Sequence, residues 1–384
     1  MLIALDSQNH YVQADLIKEK NIKGSLFCPG CRQPVYLKRG KIKIPHFSHY
    51  QASDCFLFSE GETLEHLAGK QMLSQWFTQQ EIPCMLEAYL PKLKQRPDLL
   101  IWLDQKIPVA IEFQCSFISE ANMIKRTQSY QKAGYKVIWI LGKRFKLKRK
   151  LTAQQRLFLY YHKNLNYHIF FLDTNHQKLH IFYHLIQFER NELLKSRNYQ
   201  VSLTNKKITL KTIINHFETL TYQPYVESEI AQTKELLKNH QFLMRALRNS
   251  QSKLIDFQRV LYQAHHHLLF LPIELHLPIE QSVIIQMQNC QWKYQVVRWL
   301  SKKGENQVFT SREYVQNMMI QLLFYPTPLI TKKIQQKELI RYLYFLETQQ
   351  IIHQIAHHQW IVLKKLVFFN SEEEKLMELT KNTD

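Results

Sequence analysis

The chain of 384 residues carries 51 Lys and Arg against 32 Asp and Glu, a formal charge of +19, and at about 150 residues per domain its length predicts two or three domains. No apolar run approaches the roughly 20 residues that span a bilayer, and Met1–Leu16 alternates without a signal-peptide pattern, so a cytoplasmic protein with no membrane span is expected. Only 8 Gly occur, none of them in a GxxxxGK or GxGxxG loop, which leaves an ATPase or dinucleotide-binding reading without an anchor. The excess of cations is the sign expected of a protein that neutralises phosphates and releases their counterions, so nucleic acid is the partner the charge favours.

In chain order, Met1–Ile17 reads as a short hairpin turning at Ser7-Gln8-Asn9, and Phe27–Tyr50 carries paired turns and short strands around Cys and His residues. Of six Cys, three fall between Cys28 and Cys55, a crowding that points to a metal rather than to a secreted disulfide framework. Cys28-Pro-Gly-Cys31 puts two thiols on one turn, and His46, His49 and Cys55 follow as further candidates. Four ligands make a tetrahedral structural Zn2+ site able to hold together a module too small to bury much core. The favoured set is Cys28, Cys31, His49 and Cys55, because strand alternation points His46 away from His49. If the segment turns instead, His46 takes the place of Cys55. A zinc-ribbon-like module over 1–57 is therefore predicted.

From Ser59 to about Gln80 the spacing predicts a helix with Leu64, Leu67, Ala68, Met72, Trp76 and Phe77 on its apolar face, after which Cys84–Leu90 alternates like a strand. A hairpin follows, Leu99–Leu103, a turn through Asp104-Gln105-Lys106, and Pro108–Cys115. Then come a helix over about 119–133, a buried strand Val137–Leu141, and a second hairpin, Tyr167–Leu172 with Lys178–Tyr183. Helix, strand, strand, strand, helix, strand is the order of the PD-(D/E)XK nuclease core, an α/β fold predicted here over 58–188. Folding the chain at Asp104–Ile107 brings Asp98 near Glu112, and two such carboxylates can hold a divalent ion against a phosphodiester. Glu112 and Gln114 share one strand face while Ile111 and Phe113 take the other. Glu62, His66 and Lys70 stand four apart on one helix stripe.

On the following helix Asn122, Arg126 and Tyr130 form another stripe, in which Arg126 is a candidate for phosphate contact and Tyr130 for packing or stacking, with Lys125 beside them. Residues 189–384 read as a mostly helical domain that includes a long pattern over Glu227–Gln263. Near its end a helix Lys337–Gln349 precedes two short strand-like runs, Ile351–Ala356 and Trp360–Leu363, turning at His357-His358-Gln359. With a helical pattern at Ser311–Leu323, that is how a winged helix ends.

Taken in order, CPxC, HFSH, Glu62-x-x-x-His66-x-x-x-Lys70, Pro97-Asp98 and Glu112-x-Gln114 resemble the competence protein CoiA family, over residues 1 to about 188. The resemblance implies a nuclease-like core in which Asp98 and Glu112 bind Mg2+ or Mn2+, Glu62 assists from the helix, and His66 corresponds to a metal-ligating helix histidine. It implies DNA processing in natural transformation, on single-stranded DNA and beside recombination proteins. The sequence departs from the wider superfamily at Gln114, where a Lys usually stabilises developing charge. Lys70, or Lys125 and Arg126, could supply that cation. A non-catalytic DNA-binding mediator built on a nuclease-like shell is the competing expectation.

Overall fold

In the computed structural model of the chain, the structure describes residues 1–17, 24–40, 44–50, 55, 63–103, 106–188, 193–221, 229–249, 254–276 and 282–380. Glu62, near the start of the predicted first helix, and Asp104-Gln105 of the predicted turn lie outside them. The chain forms two compact units, one of residues 1–147, 157–184 and 197–221, the other of 148–156, 185–196 and 222–384.

The first unit begins with a small antiparallel sheet of β1 (Ile3–Leu5), β2 (Tyr11–Gln13), β3 (Leu26–Phe27), β4 (Pro34–Lys38) and β5 (His46–His49), in the order β2-β1-β3-β4-β5. The β1–β2 hairpin closes where expected, with Asn9 at φ 64° and the Asp6 N–H donating to the His10 carbonyl at 3.0 Å. The N-terminal segment serves two cores: Met1 and Ala4 join Cys28, Val35 and Phe47, whereas Leu2 and Ile3 join the larger core of the same unit.

That core is built on α1 (Leu64–Thr78), β6 (Cys84–Leu86), β7 (Leu99–Leu103), β8 (Ile107–Gln114), α2 (Glu120–Lys132) and β9 (Lys136–Leu141). Each helix starts on a hydroxyl cap, Thr63 accepting from the His66 N–H and Ser119 from the Asn122 N–H. After a one-turn helix α3 (Ala153–Arg156), the strands β10 (Tyr160–His162), β11 (Asn166–Asp173), β12 (Lys178–Phe188) and β13 (Leu193–Ser202) follow, then helix α4 (Leu210–Glu218). The sheet order is β13-β12-β11-β9-β8-β7-β6, with β10 paired to β11. β8–β9 and β9–β11 are parallel, β6–β7–β8 and β11–β12 antiparallel. The central pair is apolar on both faces, as a covered parallel pair requires, through Val109, Ala110, Ile111, Phe113, Val137, Trp139 and Ile140.

The predicted element order is present, and two readings need correction. Cys84–Leu90 is a strand only to Leu86, because Glu87 turns to φ 49° and sends the chain into a loop closed at Leu90 and Gln95. Residues 193–202, expected in a helical region, form β13; its sequence LLKSRNYQVS is polar and largely exposed, and so carries little of the alternation that marks a half-buried strand.

The second unit is mainly helical, with α5 (Glu229–Leu247), α6 (Ile255–Gln263), α7 (Asn289–Lys303), β14 (Val308–Thr310), α8 (Ser311–Gln321), α9 (Lys332–Thr348), β15 (Ile352–Ala356), β16 (Gln359–Val362) and α10 (Glu372–Thr380). The helical pattern read over 227–263 is carried by α5 and α6. The core of this unit gathers Phe257, Trp292, Tyr294, Val297, Tyr314, Met318, Leu343 and Trp360. Its antiparallel sheet has the order β14-β16-β15. Arg156 is buried in this unit, donating to the Val283 carbonyl at 3.0 Å and to Gln187 Oε1 at 3.0 Å while stacking 4.1 Å from the Tyr325 ring centre.

Candidate functional site

Two clusters of chemistry-bearing side chains lie in the first unit. The β3–β4 turn carries Cys28 and Cys31, β5 ends on His49, and Cys55 follows. The ligand atoms of these four side chains all lie within 4.8 Å of one another. Cys28 Sγ is 3.9 Å from Cys55 Sγ, and Cys31 Sγ is 3.2 Å from His49 Nε2. Two thiolates on one tetrahedral zinc stand about 3.8 Å apart, so the set has the size and the soft N/S chemistry of a structural site. Burial pushes the Cys28 thiol up to about 12 and holds His49 below its ordinary value. The imidazole is thus neutral and ready to ligate, whereas the Cys28 thiol needs a cation before it ionises. His46 is outside the group: on alternating β5 it faces away, with Nδ1 2.8 Å from the Ile44 carbonyl. The extended form of the segment therefore decides the spare candidate, and Cys55 keeps its place.

The second cluster starts from a close approach. Gly69 lets α1 lie directly on β8, since a Cβ there would overlap the Phe113 ring. His66 and Lys70, on the same stripe, are thereby laid over the start of β7. His66 Nε2 is 3.1 Å from Asp98 Oδ2, which also accepts the Phe113 N–H at 2.8 Å. Lys70 is fully buried, bonded to Glu87 Oε1 and 3.9 Å from Asp98 Oδ1. Glu87 also accepts from Arg96 at 2.9 Å and from the Leu2 and Ile3 N–H groups at 2.9 and 3.3 Å. Burial alone would raise both acids, but Arg96 and Lys70 for Glu87, and His66 and Lys70 for Asp98, hold them well below the ordinary range.

Glu112 belongs to the other face. Alternation on β8 sends Ile111 and Phe113 into the core with α1 and turns Glu112 to α2, where Oε1 accepts from Arg126 and, at 2.6 Å, from the Tyr130 hydroxyl. Burial raises the Glu112 carboxyl; Arg126 offsets this in part, and the Asp98 charge adds to it. The two acids thus feel each other across the β7–β8 pair, in which Leu99 lies opposite Ile111. Gln114 shares that face, but its amide donates to the Ser116 carbonyl at 2.8 Å. Lys125 is exposed, and Tyr130 is fully buried, so of its two expected roles the ring packs and has no face for a base.

The sequence-derived constellation therefore divides into a His66–Lys70–Asp98 group and a Glu112–Arg126–Tyr130 group, joined through the acid pair. Glu87 and Arg96 were missed. Arg96 directly precedes Pro97-Asp98, and Glu87 interrupts an otherwise apolar strand pattern, a signal that could have marked it. As donors, two buried carboxylates that repel each other suit a hard divalent cation; Arg126 on Glu112 Oε1 is the group such an ion would compete with.

A family description reading competence protein CoiA, nuclease-like domain, matches residues 62–218. The same family's N-terminal domain matches 9–58 and its C-terminal domain 230–376. The chain belongs to the competence protein CoiA family. It is 33% identical over 140 residues to the competence protein CoiA of Bacillus subtilis (strain 168), a match covering 36% of this chain and 37% of that relative. No solved structure matches it significantly. The nuclease-like match begins just before α1 and ends at the close of α4, so it takes in the whole acid cluster. No helix among the described residues is long and apolar enough to cross a membrane.

Proposed function

We propose that the chain is a metal-dependent nuclease of PD-(D/E)XK type that processes DNA, single strands above all, in the cytoplasm during natural competence. The observation that carries this reading is the buried pair of Asp98, immediately before β7, and Glu112 on the neighbouring β8, with Lys70 and Arg126 beside it. Asp98 and Glu112 would hold Mg2+ or Mn2+, which when bound supplies Lewis acidity for phosphodiester hydrolysis. His66 keeps an imidazole nitrogen on Asp98 Oδ2, where it can hold a proton, and Glu62 would assist from the chain just before α1. Lys70 brings the positive charge that Gln114 lacks, from the other side of the sheet. Cys28, Cys31, His49 and Cys55 would bind Zn2+ and fix the small sheet, making a zinc-ribbon-like module of 1–57 ahead of a nuclease-like domain of 58–188. The boundary read at 189 would move to about 222, beyond β13 and α4, with a separate and mainly helical domain following.

A second reading is a non-catalytic DNA-binding mediator that works with recombination proteins. It is favoured by the engagement of Glu112 with Arg126 and by Gln114 turning its amide onto Ser116. The variants D98N and E112Q separate the two. Loss of Mg2+-dependent cleavage with DNA binding kept supports catalysis, whereas a wild-type protein that binds DNA but leaves it intact supports mediation.

A further inference from the structure

We propose that residues 289–362 form a winged helix whose α9 face and β15–β16 hairpin make a second nucleic-acid site, one that takes duplex DNA. The order α7, β14, α8, α9, β15, β16 with a β14-β16-β15 sheet is that of a helix-turn-helix followed by a wing. The hairpin is fixed to the start of α8: the Ser311 N–H donates to the His358 carbonyl at 2.9 Å, and the Trp360 indole donates to Ser311 Oγ at 2.9 Å. Between hairpin tip, α8 and the first half of α9 lies a concavity of about 470 Å³ whose lining includes Arg312, Gln316, Gln336, Ile340, His357 and His358.

On α9 the residues Leu339, Tyr342, Leu343 and Leu346 are buried, and the opposite stripe presents Lys333, Gln336, Lys337 and Ile340. Amide, ammonium and apolar groups along the exposed N-terminal half of such a helix suit base edges, thymine methyls and phosphates in a major groove. The acids of these elements are already occupied. Glu313 pairs with Lys303, Glu338 with Arg341 at 3.2 Å, and Glu347 with His353 at 3.2 Å. Among the described residues Arg312, in the concavity, and Lys332, Lys333 and Lys337, on the α9 face beside it, have no acidic partner, so this face keeps a net positive charge. The site is separate from the Asp98–Glu112 pair and does not depend on whether that pair cuts.

The test is fluorescence anisotropy of the full chain, without added divalent ions, on a labelled DNA duplex of about two helical turns, the matching single strand and the matching RNA duplex, at several salt concentrations. Because cleavage is not read, absence of nuclease activity leaves the result intact. K333E/K337E is expected to weaken the DNA duplex by about ten-fold or more and to lower the salt slope by about two. H357A/H358A, at the exposed tip, is expected to weaken it about three-fold, and serves alone if the first variant does not fold. K364E/K365E, at the base of the hairpin, matches the charge change and is expected to stay within about two-fold. Folded K333E/K337E and H357A/H358A proteins that bind the duplex as wild type does, a control that loses as much, or an RNA duplex bound as tightly as DNA, would each overturn the proposal.

Discussion

Glu87 is bonded to two cations and two backbone N–H groups at almost complete burial, so its charge ties the N-terminal strand, α1 and the loop before Asp98 together. Its folded value lies below the ordinary 4.5. Such a group stabilises the protein above its unfolded value, and the contribution is lost as the pH falls through that value towards the folded one. E87Q is expected to cost about 3 kcal/mol or more at neutral pH, because buried Lys70 loses its nearer carboxylate and keeps Asp98 Oδ1 at 3.9 Å, while Arg96 loses its ion pair with Glu87. It should also flatten the acid limb of a chemical-denaturation series below about pH 5; an unchanged acid limb would remove Glu87 from this role. At the zinc set, purified protein is expected to carry about one Zn2+ per chain and C28S to lose it with a fall in thermal midpoint, read by elemental analysis and calorimetry. Retention of stoichiometric zinc by C28S would exclude Cys28 as a ligand.

At the scale of elements, α1 and α2 reach the acid pair from the two faces of β8, and Gly69 sets how closely α1 lies. G69A forces a methyl group into the Phe113 ring and is expected to cost about 1–3 kcal/mol in urea unfolding, with His66 displaced from Asp98. A wild-type midpoint would show that the ring yields freely. The same elements show what sequence can convey. Hydrophobic periodicity makes α1, α2 and the β7–β8 hairpin readable, and the alternation of HFSH is enough to separate His46 from His49. Two things stay hidden for physical reasons. The strand β13 is polar and exposed, so no hydrophobic pattern announces it. The bonds from Leu2 and Ile3 to Glu87 join residues 85 and 84 positions apart, and no local spacing encodes such a contact.

For the whole molecule, the charge of +19 suggested phosphate, and in the proposed reading the two units would divide that task between an acidic cluster on a mixed sheet and a basic face beside a hairpin. Family membership joins them in one competence protein, and the order zinc set, acid pair, helical region was open to reading because ligands and acids come in short motifs. The division of the site was not, since it depends on which face of β8 each helix covers. The proposed role of Asp98 and Glu112 is to hold a divalent ion for DNA cleavage. Its most direct test is gel analysis of single-stranded DNA incubated with Mg2+ or Mn2+ and wild-type, D98N or E112Q protein. The expected result is metal-dependent cleavage by wild type that falls by about 100-fold or more in each variant with DNA binding retained. Intact DNA with wild type under both metals, or cleavage that survives in D98N and E112Q, would contradict it.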